Sequence, residues 1–356
     1  MERLRAFVAR NKRHISTLVF AGGFVADVFT LPLLDVSEVE VLFAVYLAAA
    51  GLLMLGSYAF LYRATSVPTG TMPMTGFLPL SVQFLLGALL SGLLIFYTES
   101  ASLSASWPFL AILAAVFLGN EVLRKYRERF TFQVILFFFT LYAYLIFVLP
   151  VLAGSMGPVV FIGSGVSALL IFLFFVRLLR RVGGPFPQGL PRLIGLWTIS
   201  IFFLVNVSYF AGILPPIPLA LKDSGVYHQI SRSGDGYALT GEPVSRFTWR
   251  TVVHHMPGMP LYAYSAVFAP VSLSTAIVHR WERFDEAARV WVLESRVSFP
   301  ISGGRENGYR GYSLKDDPRE GAWKVVIETG NGQRIAEMRF DVENVATSPA
   351  TVTEYR

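Results

Sequence analysis

The stretch Ile213–Gly225, ILPPIPLALKDSG, divides the chain into two parts of different character. Pro215, Pro216 and Pro218 end a helix there, because a proline ring fixes φ and removes the N–H that a helix needs. Before this stretch the sequence consists of long apolar runs separated by short loops. After it, polar and apolar residues tend to alternate. We therefore predict a membrane-embedded helical part followed by a soluble β-domain.

The composition fits this division and excludes several classes of protein. Hydrophobic residues make up 54% of the 356 residues, and the 30 phenylalanines are typical of membrane spans. The chain has no cysteine, so it has neither a disulfide framework nor a thiolate metal site. Residues 1–222 hold 15 Lys/Arg against 8 Asp/Glu, whereas residues 223–356 hold 15 against 16. The basic excess lies in loops between apolar runs, so we expect no nucleic-acid partner.

Seven apolar runs have about the 20 residues that cross a bilayer. The first follows a basic start, as in a signal peptide, but its length and the lack of a small-x-small cleavage site before Asp35 favour a retained span. The fourth is short and ends in polar residues. We predict a seven-span helical bundle with the lipid bilayer as its partner, and the spans are 15–34, 39–61, 77–97, 107–123, 130–153, 159–179 and 193–214.

The basic residues of the loops predict the orientation. The N-terminus, the loop at Arg63, the loop at 124–129 and the stretch 177–192 together hold 14 of the 15 Lys/Arg of residues 1–222. The alternate loops, at 35–40, 98–106 and 154–158, hold none. The positive-inside rule then predicts a cytoplasmic N-terminus. Seven spans would put the C-terminal domain on the other side of the membrane.

The C-terminal part is predicted to be an antiparallel β-sandwich of immunoglobulin-like type, because several short strands are separated by turn signals. Asn331-Gly332 predicts a hairpin with a type I′ turn, in which both central residues need positive φ. Trp281, Trp291 and Trp323 are expected in the core. Residues 223–242 are expected to be a linker with little fixed structure, residues 243–344 the sandwich and residues 345–356 a frayed tail. The predicted strands are 247–253, 262–269, 274–283, 289–299, 309–314 and the two arms of the hairpin within 321–342.

Runs of residues in both halves resemble known families. In the C-terminal half they are YSAVFAP (Tyr264–Pro270), IVHRWE (Ile277–Glu282), RGYS (Arg310–Ser313), GAWKVVIET (Gly321–Thr329) and MRFDV (Met338–Val342). In the N-terminal half they are GGFVADVFTL (Gly22–Leu31) and GNE (Gly119–Glu121). The first set resembles a bacterial family, domain of unknown function 2914. The second resembles a multi-pass region often fused to it, domain of unknown function 5924. The resemblance implies a bacterial inner-membrane protein with a periplasmic domain, and it implies no activity.

Asp27 is a candidate site inside the first predicted span. A charged side chain at that depth costs roughly 2.5–3.5 kcal/mol, so it should face protein or water or be protonated. Two roles are open. It serves a proton- or cation-linked site, or it makes a structural hydrogen bond to Gln83, Ser91 or Asn206 of another span.

Asn120 and Glu121 are further polar candidates, at the cytoplasmic end of the fourth span. Glu121 and Lys125 are four residues apart, so they can pair on one helix face. An interfacial ion pair with snorkelling basic side chains is the structural interpretation. A catalytic or gating glutamate is the functional one.

The β-domain offers candidates for binding but none for a metal. His254 and His255 are adjacent and would point to opposite faces of a strand, and so would His279 and Glu282. Convergent metal ligands are therefore not expected. His279 is predicted to be a hydrogen-bonded core residue. A cluster around a Gly-rich loop can stack on sugars or pair with anions, or it can be a charged edge strand. Its residues are Arg305, Tyr309, Arg310 and Tyr312.

The sequence lacks the common catalytic signatures. GxSxG, HExxH, the Walker loop and GxGxxG do not occur in it. We therefore expect a membrane-anchored periplasmic binding module for an envelope glycan or a periplasmic protein, with no cofactor. Two alternatives stay open. One is a transporter centred on Asp27 with the sandwich as an accessory domain, and the other is an envelope-modifying membrane enzyme using Asp27 or Glu121.

Overall fold

The structure is a computed structural model that forms two compact units. One unit is helical. The other is mostly β and also includes residues 99–107 and 150–157 from the helical part of the sequence. The described residues are 24–31, 36–64, 77–99, 103–122, 130–186, 188–216, 218–234, 236–243, 251–270, 273–305 and 307–356.

Seven helices lie within the described residues, and five of them are long and apolar enough to cross a membrane. These five are α2, α3, α5, α6 and α7. Helix α4 contains only a shorter apolar stretch, Ser106–Gly119, and the predicted first span lies partly outside the described residues. The helices are α1 (24–30), α2 (Val36–Ala64), α3 (Phe77–Glu99), α4 (Leu103–Val122), α5 (Phe130–Ala153), α6 (Pro158–Gly183) and α7 (Leu190–Phe210).

Aromatic side chains pack the interior of the helical unit. Phe43 of α2, Phe96 of α3 and Phe147 of α5 surround one another with ring centroids 5.5–6.4 Å apart. Gly92 lies directly against the ring of Phe43, where any Cβ would collide with it. A residue without a side chain therefore lets α2 and α3 approach closely at this point.

Eleven strands of the second unit form three sheets within the described residues. The sheet orders are β1-β5-β8, β4-β10-β9-β6-β7 and β11-β3-β2. All pairs are antiparallel except β4 with β10, which is parallel and so departs from the purely antiparallel prediction. The strands are β1 (Ala220–Tyr227), β2 (Gln229–Ser233), β3 (Gly236–Gly241), β4 (Thr251–His255), β5 (Leu261–Phe268), β6 (Ser274–Asp285), β7 (Val290–Ser302), β8 (Tyr309–Lys315), β9 (Gly321–Thr329), β10 (Arg334–Asn344) and β11 (Val352–Tyr355).

The hydrophobic core contains side chains from all three sheets. One cluster joins Leu261 and Ala263 of β5 to Trp281 and Trp323 of the five-stranded sheet. A second cluster joins Val267 to residues of β6, β7, β9 and β10. A third, smaller cluster is formed by Leu239 of β3 with Tyr264 and Ala266 of β5. The sheet β1-β5-β8 thus has buried residues on both of its faces.

The predicted linker and tail are wrong. Residues 223–242 form most of β1 together with β2 and β3, and residues 352–355 of the expected tail form β11 beside β3. The glycines that suggested flexibility instead allow close packing. A Cβ on Gly236 would collide with the carbonyl oxygen of Arg356, and one on Gly241 would collide with the ring of Tyr227.

The predicted β9–β10 hairpin is present, but its turn differs. Gly332 has φ of +82°, and Asn331 is not among the described residues with positive φ, so the turn is not type I′. The N–H of Gly332 donates to the carbonyl of Thr329 at 2.9 Å, and Thr329 N–H donates to Gln333 O at 2.8 Å. The loop therefore has three residues, and its last residue takes the left-handed conformation.

Candidate functional site

Three tyrosines from different strands converge on the outer face of the sheet β1-β5-β8, which is the face turned away from the five-stranded sheet. The ring of Tyr312 on β8 lies 5.7 Å from that of Tyr237 on β3 and 6.1 Å from that of Tyr262 on β5. Leu314 is opposite Tyr262 in the β5–β8 register, so it shares this face. Tyr312 is 41% exposed and Leu314 is 42% exposed. We call these four residues the tyrosine patch.

A buried tyrosine lies beneath the patch. Tyr264 is opposite Tyr312 in the register and packs edge-on against Tyr237 and Tyr227, with ring centroids 6.3 and 6.2 Å apart. Burial raises the pKa of Tyr264 to about 12, despite the nearby positive charge of Arg310. The hydroxyl of Tyr264 therefore stays protonated at neutral pH and gives the patch an uncharged floor.

The four predicted binding residues do not form one site. Arg310 and Tyr312 both lie on the outer face of β8. Arg310 lies near Gly236 of β3, and Tyr312 belongs to the patch. Tyr309 instead packs against the hydrophobic core, and the guanidinium of Arg305 lies over its ring at 5.0 Å. Side chains alternate along a strand, so neighbours in the sequence are separated by the sheet.

The prediction missed Tyr237 and Tyr262 as members of the patch. Tyr237 lay in the expected linker, where no pairing partner could be assigned. Tyr262 was recognised only as part of a strand. The alternation of Tyr262 and Tyr264 along β5 was the available signal, because it puts two aromatic rings on one face.

His279 is buried in a polar network within the core. Its Nε2 lies 2.8 Å from Ser265 Oγ, and its Nδ1 lies 2.9 Å from Ser313 Oγ. Ser313 Oγ also accepts a hydrogen bond from Trp281 Nε1 at 2.9 Å. Burial lowers the pKa of His279 to about 4, so the ring is neutral at pH 7. All four side chains are buried, which fits a structural role.

Trp281 and Trp323 are buried, but the predicted core position of Trp291 is wrong. Trp291 lies on the opposite face of β7, with its ring 5.2 Å from Phe284 and beneath Lys324 Nζ at 4.4 Å. The cause is a β-bulge, in which Glu294 is an extra residue between Leu293 and Ser295. One extra residue reverses the relation between residue number and face.

The outer face of the five-stranded sheet carries paired charges. Glu282 contacts Lys324 at 2.8 Å and Arg280 at 2.7 Å, and Glu328 lies 3.6 Å from both Arg280 and Arg296. Each carboxylate thus has basic partners within the protein. Charged pairs of this kind help to keep the exposed face of a sheet soluble.

A second polar cluster centres on Glu242, at the end of β3. Its Oε1 accepts the backbone N–H of His254 at 2.7 Å and lies 3.0 Å from His228 Nε2, while its Oε2 lies 2.6 Å from His254 Nδ1. Burial alone would raise the pKa of Glu242, but the hydrogen bonds from His254 and His228 together lower it. The hydrogen bond to Glu242 raises the pKa of His254, and the charge of Glu242 adds to this.

No cluster able to hold a metal ion is found among the residues that the structure describes. His254 contacts Glu242, whereas the ring of its neighbour His255 lies 2.7 Å from the carbonyl of Met259 and 3.2 Å from Asn344 Oδ1. The two histidines therefore diverge, as their adjacent positions in a strand require.

The polar candidates within the predicted spans differ in the contacts that the structure shows for them. Ser91 Oγ of α3 donates a hydrogen bond to Asp27 Oδ2 of α1 at 2.6 Å, and Ser91 was one of the expected partners. Asn206 instead bonds to Tyr142, with its Nδ2 3.0 Å from the Tyr142 hydroxyl. Asn120 and Glu121 lie at the end of α4, and their side chains are outside the described part of the structure.

Comparisons with known proteins bear on the C-terminal region. Residues 274–342 match the family described as "Protein of unknown function (DUF2914)". Four of the five runs that carry the C-terminal resemblance lie in this range. The resemblance of the N-terminal half stays a prediction. No curated protein matches the sequence.

Solved structures give only distant similarities. One is an immunoglobulin-like protein from Pseudomonas aeruginosa, with 10% identity, coverage of 35% of this chain and 96% of that one, and a TM-score of 0.21. Another is a β-glucosidase from Listeria innocua, with 8% identity, coverage of 34% and 16%, and a TM-score of 0.19. A third is an alkylpurine DNA glycosylase from Pseudomonas fluorescens, with 10% identity, coverage of 85% and 98%, and a TM-score of 0.22. These scores are too low to support a conclusion on fold or function.

Proposed function

We propose that the chain is a multi-pass membrane protein of the bacterial inner membrane whose β unit, an immunoglobulin-like sandwich, binds an envelope glycan in the periplasm. The helices anchor this unit and the N-terminus is cytoplasmic. The observation that carries the binding role is the convergence of Tyr237, Tyr262 and Tyr312 from three strands, with Tyr312 exposed.

Two features support the orientation. The loops alternate between basic and non-basic along the whole helical part, as the positive-inside rule requires. The non-basic segment 154–157 also belongs to the β unit, where Asn331 Nδ2 donates to the carbonyl of Met156 at 3.2 Å and Met156 packs against the core. This contact supports placing the loop after α5 and the β unit on one side of the membrane, which the charge pattern favours independently.

The geometry of the patch favours a sugar over a flat aromatic ligand. The rings of Tyr237 and Tyr312 meet at 76°, and those of Tyr262 and Tyr312 meet at 56°. Such a corner offers an apolar ring face to the C–H face of a pyranose. The phenol hydroxyls can then bond to the hydroxyls of the sugar, because a tyrosine has an apolar body and a polar tip.

Sedimentation with purified peptidoglycan sacculi tests this proposal on the full-length protein in detergent. We expect wild type to be retained and Tyr312→Ala to bind about tenfold more weakly, the cost of removing one aromatic anchor. Tyr355→Ala is the matched control, because Tyr355 is a 73% exposed tyrosine on β11 outside the patch. Failure of the sacculi to retain wild type would overturn glycan binding. Capture of an envelope protein, lost in Tyr312→Ala, would replace the glycan by a protein partner.

For Asp27 we favour a structural role over the transport alternative. Its carboxylate has a partner on a neighbouring helix, Ser91, at 2.6 Å. A hydrogen bond of this kind between spans holds helices together and satisfies a polar group in the hydrocarbon region.

A further inference from the structure

The cluster around Glu242 joins three separate segments of the β unit. His228 lies between β1 and β2, Glu242 follows β3, and His254 belongs to β4 at the edge of the five-stranded sheet. The base of the β2–β3 hairpin is thereby bonded to a strand of a different sheet. Within the described residues the two sheets share no backbone ladder, and the side chain of Glu242 bridges them.

The carboxylate is held by three contacts and is partly shielded from solvent. His254 supplies both its backbone N–H and Nδ1, at 2.7 and 2.6 Å, and His228 Nε2 lies at 3.0 Å. The side chain of Glu242 is 19% exposed and that of His254 is 41% exposed. The imidazole of His254 is therefore more accessible to solvent than the carboxylate of Glu242.

The other charged and titratable groups around His254 are few. Glu343 is its cross-strand partner on β10, and its charge also favours the protonated imidazole. His255 points away toward Met259 and Asn344, with Asp317 Oδ1 at 4.0 Å from its Nε2. Glu242 and Glu343 therefore both raise the pKa of His254.

We propose that Glu242, His228 and His254 form a pH-dependent clamp that fastens the β2–β3 hairpin to strand β4. The part of this stabilisation that comes from His254 is fully present below its ordinary pKa of about 6.5 and is lost as pH rises through the raised pKa of the folded state. The part from Glu242 is present above about 4.5 and is lost as pH falls through its lowered pKa. The clamp is tightest in mild acid and loosens in alkali.

Loosening the β2–β3 hairpin would disturb the residues that pack beneath the tyrosine patch. Leu239 of β3 packs with Tyr264 and Ala266, and Tyr237 of the same strand belongs to the patch. The effect on ligand binding rests on the proposed function. The clamp itself rests only on the contacts of Glu242.

Hydrogen–deuterium exchange of residues 229–241 in the full-length protein tests the clamp without any ligand. After correction for intrinsic exchange, we expect wild-type protection to fall about two- to fivefold between about pH 6 and about pH 9, the range of a partly exposed ion pair. Glu242→Gln should show the lower protection already at about pH 6. Equal wild-type protection at both pH values would overturn the proposal, and so would wild-type behaviour of Glu242→Gln.

Two further variants keep the test decisive. His254→Gln retains a side-chain donor for Glu242 but cannot titrate, so its protection should lose most of the pH dependence of wild type, even where Glu242→Gln fails to fold. Glu343→Gln is the matched control, because it removes a charge near His254 that makes no hydrogen bond to it. Most of the pH dependence should survive there, and its complete loss would assign the effect to general charge and overturn the clamp. A result on sacculi with Tyr312→Ala is independent of these outcomes.

Discussion

His279 is an imidazole that burial keeps neutral in the core, with a serine hydroxyl at each ring nitrogen. A neutral ring can donate from one nitrogen and accept at the other, so Ser265 and Ser313 satisfy it in either tautomer. Ser313 Oγ also accepts from Trp281, which fixes the hydroxyl within the network. Burial is what favours the neutral ring and lowers the pKa of His279.

This residue should make the β unit sensitive to acid. The folded-state pKa of about 4 lies below the unfolded value of about 6.5, so the unfolded chain binds the proton more readily. Stability from this group is complete above about pH 6.5 and is lost as pH falls toward 4, by roughly 3 kcal/mol in total. The measurement is the unfolding of the full-length protein in detergent, followed by tryptophan fluorescence across this range.

His279→Gln is the informative comparison, since its amide can still bond to both serines but does not titrate. We expect the variant to be less stable than wild type at pH 7, and the difference should shrink as pH falls from about 6.5 to 4. A constant difference between the two proteins over that range would contradict the assignment.

At the level of single residues, the sequence predicted burial well where alternation was regular. Ile277, His279 and Trp281 share a face of β6, and all three are buried. The prediction of a core position for Trp291 was wrong because the bulge at Glu294 is a property of the β6–β7 pairing, which no local pattern reveals. Membership of the tyrosine patch was not predicted for the same reason, since Tyr237 and Tyr312 are 75 residues apart in the sequence.

Strand β7 shows what the bulge does at the level of an element. Leu293 pairs with Glu282 and Ser295 pairs with Trp281, so Glu294 has no opposite residue of its own. It is used instead for ion pairs, with Arg283 Nε at 3.1 Å and Lys315 Nζ at 3.7 Å. Removing Glu294 would join two residues that already lie on alternate faces.

Deletion of Glu294 should therefore be tolerated, whereas deletion of Ser298 from the same strand should not. The first leaves the register intact and costs about 1 kcal/mol through lost ion pairs. The second forces the sequence on one side of the gap to change face, which turns Phe299 or Val297 away from the core and should cost more than about 3 kcal/mol. Denaturant unfolding of the two deletion variants provides the comparison, and equal losses of stability would refute the role assigned to the bulge.

Elements held by backbone ladders alone were the hardest to predict. Strand β3 pairs with β2 and β11 on its two sides, but its only fully buried apolar residue is Leu239. The Ser- and Gly-rich composition around it resembles a linker because main-chain pairing leaves no hydrophobic signature. Helices α2–α7, in contrast, begin and end within about four residues of the predicted runs, because a long apolar run is a strong local signal.

The whole molecule combines five long apolar helices with a β unit that includes the loop after α5. This loop, at 154–157, and the described C-terminal residues should be exposed on one side of the membrane, and the loop after α2 on the other. The absence of cysteine makes the test direct, because each introduced thiol is the only one in the chain. Ser155→Cys and Ser348→Cys report on the β unit, and Ser66→Cys reports on the loop after α2.

A membrane-impermeant maleimide added to spheroplasts should label the variants at 155 and 348, while the variant at 66 should react only after lysis. The physical reason is the distribution of Lys/Arg, which is retained on the cytoplasmic side during insertion. Both reporters of the β unit are exposed, so failure to react would reflect the membrane and not burial in the fold. Labelling at 66 in unbroken spheroplasts would reverse the orientation. Labelling at 155 without labelling at 348 would instead contradict the association of the loop with the β unit, which the bond from Asn331 to Met156 requires.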